Sequence, residues 1–150
     1  DIARIADVFY IGGTKVGAMF GEAVVFTHGN MPKNFVTLVK QHGALLAKGW
    51  LLGVQFDTLF TDDLYCRIAR HANDAADRIR EVLVERGYTL TFDAPTNQIF
   101  ITLDNATSER LQRNVRLGFM EKADDTHTVM RICTSWATTD EQVEQLIALL

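Results

Sequence analysis

Asp7-Val-Phe-Tyr-Ile-Gly-Gly-Thr-Lys-Val-Gly-Ala18 is the stretch from which the rest of the chain is interpreted. Its apolar run, residues 8–11, predicts a buried strand, and residues 22–27 predict a second strand after Gly21. The glycines on either side of Thr14 and Lys15 allow the backbone of this connection to approach another group closely. The sequence therefore predicts a single lysine held on a loop between two buried strands.

Lys15 is the first candidate for covalent chemistry. Burial disfavours the ammonium form of a lysine, and its amine then becomes available as a nucleophile for a Schiff base. The alternative is a solvated hairpin turn that carries an ordinary surface lysine. A nucleotide-phosphate loop is disfavoured, because the P-loop spacing of glycine and lysine is absent and no helix is predicted directly after the lysine.

The composition of the chain limits the class of protein and the partners that can be expected. The 150 residues suffice for one domain with a substantial core, and 47% hydrophobic with 23% charged residues is typical of a soluble globular protein. A net charge of −4 argues against nucleic acid as a general partner. No apolar run reaches the roughly 18–20 residues that cross a bilayer. The expected location of the protein is the cytoplasm. Cys66 and Cys133 are expected to be buried thiols, since a disulfide scaffold would carry more cysteines.

The rest of the chain predicts a mixture of helices and strands. Helical spacing begins after Pro32, and residues 50–60 are apolar on nearly every side, which predicts burial between layers or between subunits. The longest predicted helix ends at Gly87. The pattern β-β-α-β-β-α follows, a small sheet with helices on one side, and Thr139 with Gln142 predicts a capping box for the last helix.

Three side chains of the longest predicted helix, His71, Asp74 and Asp77, have spacings that also occur in metal sites. No further ligand is indicated nearby. A solvated charged face is therefore favoured, and no metal site is predicted.

Arg131 is the second candidate for a functional role, because the residues on either side of it in a predicted strand are apolar. A half-buried guanidinium needs an acidic partner, since an unpaired buried charge costs on the order of several kcal/mol. Two interpretations stay open. One is an internal salt bridge to Glu121 or Asp124, and the other is a ligand carboxylate held by two parallel hydrogen bonds.

Lys15 and Arg131 are the two groups that a pyridoxal-phosphate enzyme acting on amino acids needs. Three blocks carry a closer resemblance: residues 7–26, Lys40-Gln-His-Gly-Ala-Leu-Leu-Ala-Lys-Gly49 and Met130-Arg-Ile-Cys-Thr-Ser-Trp-Ala-Thr-Thr139. With these blocks the chain resembles the low-specificity L-threonine aldolases over essentially all of its length. This family belongs to the β-eliminating lyase group, which has the aspartate-aminotransferase fold.

The resemblance implies a fold class between α/β and α+β, as in the C-terminal part of a fold-type I pyridoxal-phosphate enzyme. Residues 1–30 then correspond to the end of the large cofactor-binding domain, and residues 31–62 to connecting and interface helices. Residues 63–150 correspond to a small C-terminal α+β domain whose last helix is truncated. The resemblance also implies a homodimer or tetramer. We expect the chain to be part of a longer protein, because it opens without methionine and stops inside a helical pattern.

The resemblance also implies roles for individual residues. Lys15 matches the lysine that forms the internal aldimine with pyridoxal 5′-phosphate, and Arg131 matches the arginine that binds the substrate carboxylate. Thr14 precedes that lysine and is placed to reach the phosphate. Lys40 resembles a basic residue that approaches the phosphate from the neighbouring subunit, whereas for Lys48 a surface position is favoured.

The implied reaction is the retro-aldol cleavage of L-threonine or L-allo-threonine to glycine and acetaldehyde, a lyase step of amino-acid metabolism. The chain departs from the family pattern at Val16, His42 and Trp50. It also lacks the residue that stacks on the pyridine ring, the aspartate that pairs with the ring nitrogen, and an identified general base. We therefore expect it to be inactive by itself. The alternatives are another lyase or aminotransferase of the same fold, or a catalytically silent interaction domain.

Overall fold

The computed structural model describes residues 1–150, which form two units, Asp1–Tyr65 and Cys66–Leu150. The first unit contains β1 (Val8–Gly12), β2 (Glu22–Phe26), α1 (Phe35–Gln41) and α2 (Trp50–Phe60). Short turns of 3₁₀ helix cover Ile2–Arg4, Thr14–Val16 and Thr61–Asp63. None of the helices in the chain combines the length and the hydrophobicity that a membrane span requires.

Strands β1 and β2 form an antiparallel two-stranded sheet. Successive residues of a strand face opposite sides, and here Phe9 and Ile11 lie on the more covered side. Tyr10 and Val24, which pair across the sheet, are 68% and 52% exposed. The prediction of two buried strands is therefore wrong for this chain, because only one face of the hairpin is covered.

Helix α2 contacts the hairpin loop through Leu52 and Phe56. A Cβ atom added to Gly21 would lie 2.0 Å from Leu52 Cδ2, and one added to Gly13 would lie 3.0 Å from Phe56 Cζ. The absence of a side chain at both positions thus permits this close approach. Trp50, on the same helix, is 65% exposed, so α2 is not buried on every side within this chain. Burial of its exposed part between subunits stays a prediction.

The second unit contains one long helix, a four-stranded sheet and two shorter helices. Its elements are α3 (Leu64–Glu85), which begins in the last two residues of the first unit, β3 (Thr89–Leu90), β4 (Gln98–Asp104), α4 (Asn105–Gln112), β5 (Gly118–Lys122), β6 (His127–Cys133) and α5 (Asp140–Leu149). The strands are antiparallel neighbours in the order β3-β4-β6-β5. The predicted order β-β-α-β-β-α after the long helix is confirmed.

The core of the second unit lies on one face of this sheet. The strands contribute alternate residues to it: Ile99, Ile101, Leu103, Met130 and Ile132. The helices cover these residues with side chains that are at most 1% exposed: Ile79, Leu83, Leu111 and Val143. Burying each aliphatic side chain contributes about 1.5–3 kcal/mol, so this core holds the sheet and the three helices together.

Side-chain caps fix the starts of the two shorter helices. Asp104 accepts a hydrogen bond from the Thr107 N–H at 2.8 Å at the start of α4. Thr139 and Gln142 form the predicted capping box at the start of α5. Helix α4 thus starts directly after β4, and α5 starts after the loop that follows β6.

The two cysteines lie at the surface. Cys66 and Cys133 are both exposed, so the prediction of buried thiols is wrong. Cys133 is the last residue of β6 and follows Ile132, which points into the core. Because neighbouring residues of a strand face opposite sides, Cys133 faces away from the helices.

Candidate active site

Lys15 is the middle residue of the turn of 3₁₀ helix, Thr14–Val16, between β1 and β2. Val16 is buried, and its backbone N–H donates to the Gly13 carbonyl at 3.1 Å. Gly17 follows the turn with a φ of +98°, a conformation that residues with a side chain rarely adopt. The turn is thus anchored by Val16, while Thr14 and Lys15 are exposed.

The Lys15 amine has no hydrogen-bond or ion-pair partner within residues 1–150. Its exposure overturns the prediction of a lysine with little water around it and agrees with the alternative of a surface lysine on a hairpin loop. The reason is that the hairpin is covered on one face only. In this chain the amine is accessible to a ligand and is not activated by burial.

Two polar side chains hold the loop that carries Lys15. The Gln55 side chain accepts from the Met19 N–H at 2.7 Å and donates to the Phe20 carbonyl at 3.3 Å. The Tyr65 hydroxyl donates to the Gly12 carbonyl at 2.9 Å. These contacts fix the backbone on both sides of the lysine. No local pattern in the sequence predicts these contacts, and the only signal for Gln55 is a polar residue inside an apolar helix.

The other predicted cofactor residues, Thr14 and Lys40, are also exposed. Lys40 lies in the last turn of α1, where a cation interacts favourably with the helix dipole. Lys48, for which a surface position was favoured, is exposed as well. The roles of Thr14 and Lys40 stay predictions.

Arg131 lies in the middle of β6, on the sheet face opposite the core. Its Cα partners on the neighbouring strands are Phe100 and Gly118. Its Nη1 donates to Gln98 Oε1 at 3.2 Å, and its Nε is buried without an acceptor. The guanidinium is thus held by one hydrogen bond to a neutral side chain and by contact with the sheet.

Arg131 forms no ion pair within residues 1–150. Asp124, one of the two internal partners considered, accepts instead from the Thr126 hydroxyl at 2.7 Å and from the Thr126 and His127 N–H groups at 2.6 and 2.8 Å. Hydrogen bonds from the Thr126 side chain and backbone hold the pKa of the Asp124 carboxyl below its usual range. The internal salt bridge is therefore absent from this chain, and ligand binding by Arg131 stays a prediction.

The loop after β6 holds the end of the strand that carries Arg131. The Thr134 hydroxyl donates to the Ala72 carbonyl at 2.6 Å, and the Thr134 N–H donates to the Asn97 carbonyl at 3.0 Å. The Asn97 side chain returns a hydrogen bond to the Thr134 carbonyl at 2.7 Å. Because Thr134 is buried and bonded to both α3 and the segment before β4, the end of β6 is rigidly placed.

Three of the four histidines contact polar or acidic groups of this chain. His71 Nε2 donates to the Thr138 carbonyl at 2.8 Å, and His127 Nδ1 lies 3.2 Å from the Asp124 carboxylate. His28 Nε2 lies 3.9 Å from Asp7 Oδ1, and both side chains are largely exposed. The structure does not single out any histidine as a general base.

No family model matches the chain. A low-specificity L-threonine aldolase of Pseudomonas aeruginosa is 30% identical over 141 residues, which are 93% of this chain and 40% of that protein. A second one, from a Pseudomonas species, is 30% identical over 95% of this chain and 40% of its own length. The chain thus spans about 40% of the length of the curated relatives it matches.

The comparison with solved structures also finds a threonine aldolase, again over less than half of the other chain. A threonine aldolase of Leishmania major superposes with a TM-score of 0.92 at 38% identity, over 99% of this chain and 43% of that one. A serine palmitoyltransferase of Sphingomonas wittichii superposes with a TM-score of 0.66 at 18% identity, over 99% of this chain and 39% of that one, which shows a shared fold alone. These shares agree with the predicted resemblance to a C-terminal portion of longer enzymes.

Proposed function

Because the chain is similar in sequence to the low-specificity L-threonine aldolases and has the fold of part of a fold-type I pyridoxal-phosphate enzyme, we propose a role in retro-aldol cleavage. The proposed substrates are L-threonine and L-allo-threonine, and the products are glycine and acetaldehyde. The observation that carries the proposal is the superposition on the Leishmania threonine aldolase over 99% of this chain.

The residues present fit pyridoxal 5′-phosphate. Lys15 offers an exposed primary amine with no competing carboxylate, on a turn whose backbone is held from both sides. The exposed Thr14 hydroxyl and the Lys40 ammonium would contribute to holding the phosphate, Lys40 from the neighbouring subunit. When bound, the cofactor supplies a ring that accepts the electrons of the broken carbon–carbon bond.

Arg131 binds the substrate carboxylate in this proposal. Its guanidinium has no ion pair within the chain, and its planar fork suits a carboxylate held by two parallel hydrogen bonds. Fixing the carboxylate limits rotation of the substrate, so that the Cα–Cβ bond is presented in one orientation. Positioning of this kind is a large part of what an enzyme contributes.

The proposal extends to the organisation of the protein. Residues 1–30 contribute the end of the large domain, residues 31–62 connecting and interface helices, and residues 63–150 the small C-terminal domain. The active protein is a cytoplasmic homodimer or tetramer. Residues 1–150 alone are inactive, because the ring-nitrogen partner and the stacking residue are supplied by other parts of the protein.

The test is cleavage by the natural full-length protein loaded with pyridoxal 5′-phosphate. Glycine and acetaldehyde should form in equal amounts from L-threonine or L-allo-threonine, and residues 1–150 alone should form neither. Amino transfer to a 2-oxo acid without aldehyde release would instead show an aminotransferase. A protein that binds no cofactor and converts neither amino acid would show an interaction domain.

A further inference from the structure

We propose that Gln98 is a positioning residue that sets the orientation of the Arg131 guanidinium, so that its terminal nitrogens are presented to the substrate carboxylate. The inference rests on the proposed function, since it deepens the role given there to Arg131. It concerns a residue on a different strand, which the sequence analysis did not single out.

The register of the sheet brings Gln98 to Arg131. Gln98 pairs with Cys133, and Arg131 pairs with Phe100, so Gln98 and Arg131 are diagonal neighbours on the same face. Diagonal neighbours on adjacent strands are within reach of long side chains. Gln98 Oε1 accepts from Arg131 Nη1 at 3.2 Å, the one side-chain hydrogen bond that the guanidinium makes in this chain.

On the neighbouring strand β5, Gly118 pairs with Arg131. Because glycine has no side chain, the aliphatic part of the arginine side chain can lie close to the sheet there. A Cβ added to Gly118 would lie 3.5 Å from both Arg131 Cβ and Arg131 Nε. Arg131 Nε is buried there without an acceptor. A Cβ at position 118 would thus be in ordinary van der Waals contact with the arginine side chain, which shows how closely that side chain lies against β5.

These two contacts determine which donors remain. An arginine has five N–H donors, one on Nε and two on each terminal nitrogen. Nε–H is buried, and one Nη1–H is bonded to Gln98. The donors left for a ligand are the second Nη1–H and both on Nη2. A carboxylate therefore binds end-on, across the two terminal nitrogens.

The Gln98 side chain is uncharged, and this determines how it acts on Arg131. An amide oxygen orients the guanidinium without cancelling its charge. A glutamate at the same position would form an ion pair with Arg131 and compete with the substrate carboxylate. Gln98 thus orients the guanidinium and leaves the positive charge of Arg131 available to the ligand.

The experiment compares glycine with glycinamide as probes of the natural full-length protein loaded with pyridoxal 5′-phosphate, by calorimetric titration. The two probes share the amine and differ only at the carboxylate. Gln98→Met should weaken glycine binding by about 10-fold or more, the effect of one hydrogen bond to a charged group, and leave glycinamide binding unchanged. Gln98→Glu should weaken glycine binding by a further factor of about 5 or more.

Two controls separate positioning from general destabilisation. Gln112→Met removes a comparable amide hydrogen bond, from Gln112 Nε2 to Ser108 Oγ at 3.0 Å. This substitution should leave the binding of both probes unchanged. In a protein that already carries Arg131→Met, adding Gln98→Met should not weaken glycine binding further. Should Gln98→Met fail to fold, the isosteric Gln98→Glu decides by the same comparison.

The proposal is overturned if Gln98→Met leaves glycine binding within about twofold of wild type, if it weakens both probes equally, or if its effect persists without Arg131. Failure of the proposed function is recognised separately. In that case the unmutated protein does not cleave threonine, whatever residue occupies position 98.

Discussion

Replacing Arg131 with methionine should damage substrate binding far more than it damages folding. Methionine keeps much of the side-chain volume and removes the guanidinium. Within the chain the substitution deletes one hydrogen bond, from Nη1 to Gln98 at 3.2 Å, and breaks no ion pair. The variant therefore separates the two interpretations of this arginine.

The magnitudes follow from these contacts. Loss of one hydrogen bond costs about 1 kcal/mol, and removing the buried Nε–H that has no acceptor returns about 1–3 kcal/mol, so the net change in stability is within about 2 kcal/mol. Breaking a buried ion pair would instead cost about 3–5 kcal/mol. Losing a charge-assisted contact to the substrate carboxylate costs about 2–5 kcal/mol of binding, which is roughly a 30-fold to several-thousand-fold rise in KM.

The assay measures urea unfolding and the KM for L-threonine on the same preparations of the natural full-length protein. We expect a nearly unchanged unfolding midpoint together with a large rise in KM. A variant that unfolds readily but keeps its KM would show that Arg131 is structural, and wild-type behaviour in both measurements would refute the reasoning altogether.

Three further predictions concern the second unit. Ile101→Ala, at a fully buried position, should lower the free energy of unfolding by about 2–5 kcal/mol, whereas Val84→Ala, at a position that is 57% exposed, should change it by less than about 0.5 kcal/mol; equal effects in urea unfolding would contradict the assigned core. Thr139→Ala should cost about 1 kcal/mol by the same measurement, because it removes the capping box of α5, and no loss would show that the cap is not needed. On folding, the hydrogen bond from the Thr107 N–H lowers the pKa of Asp104. The contribution of this carboxylate to the stability of the folded protein is therefore complete above the ordinary aspartate pKa, and it is lost as the pH falls through the lowered value. Asp104→Ala should therefore destabilise at neutral pH and differ less from wild type in acid, and a difference that is independent of pH would contradict the cap.

The architecture of the second unit could be predicted from the sequence because its signals are local. The change from helical spacing to alternation near Tyr88, and the Thr139–Gln142 pair, each depend on residues within a few positions of one another. The core face of β4 follows from the same alternation, which places Ile99, Ile101 and Leu103 on one side.

Exposure in the first unit could not be predicted in this way. An apolar run such as residues 8–11 indicates a strand, but it does not say how many faces are covered. In this chain Tyr10 is exposed because no element covers that face of the hairpin. Helix α2 shows the same limit, since its composition predicts burial and only Phe56 and Leu59 are buried.

The partners of the candidate site residues were missed for a related reason. Gln98 meets Arg131 across 33 positions of sequence, and Gln55 meets Met19 across 36. Such pairs are set by strand register and helix packing, which no local pattern encodes. Arg131 itself is indicated by the sequence, because a charged residue interrupts an apolar strand, and its role in binding stays a prediction.

The central claim is that Lys15 is the attachment point of pyridoxal 5′-phosphate, and borohydride reduction of the natural full-length holoprotein followed by peptide mass mapping tests it most directly. We predict a pyridoxyl group on the peptide containing Lys15 and its loss, with unchanged circular dichroism, in Lys15→Ala. A pyridoxyl group on Lys33, Lys40, Lys48 or Lys122 instead, or on no lysine at all, would contradict the account.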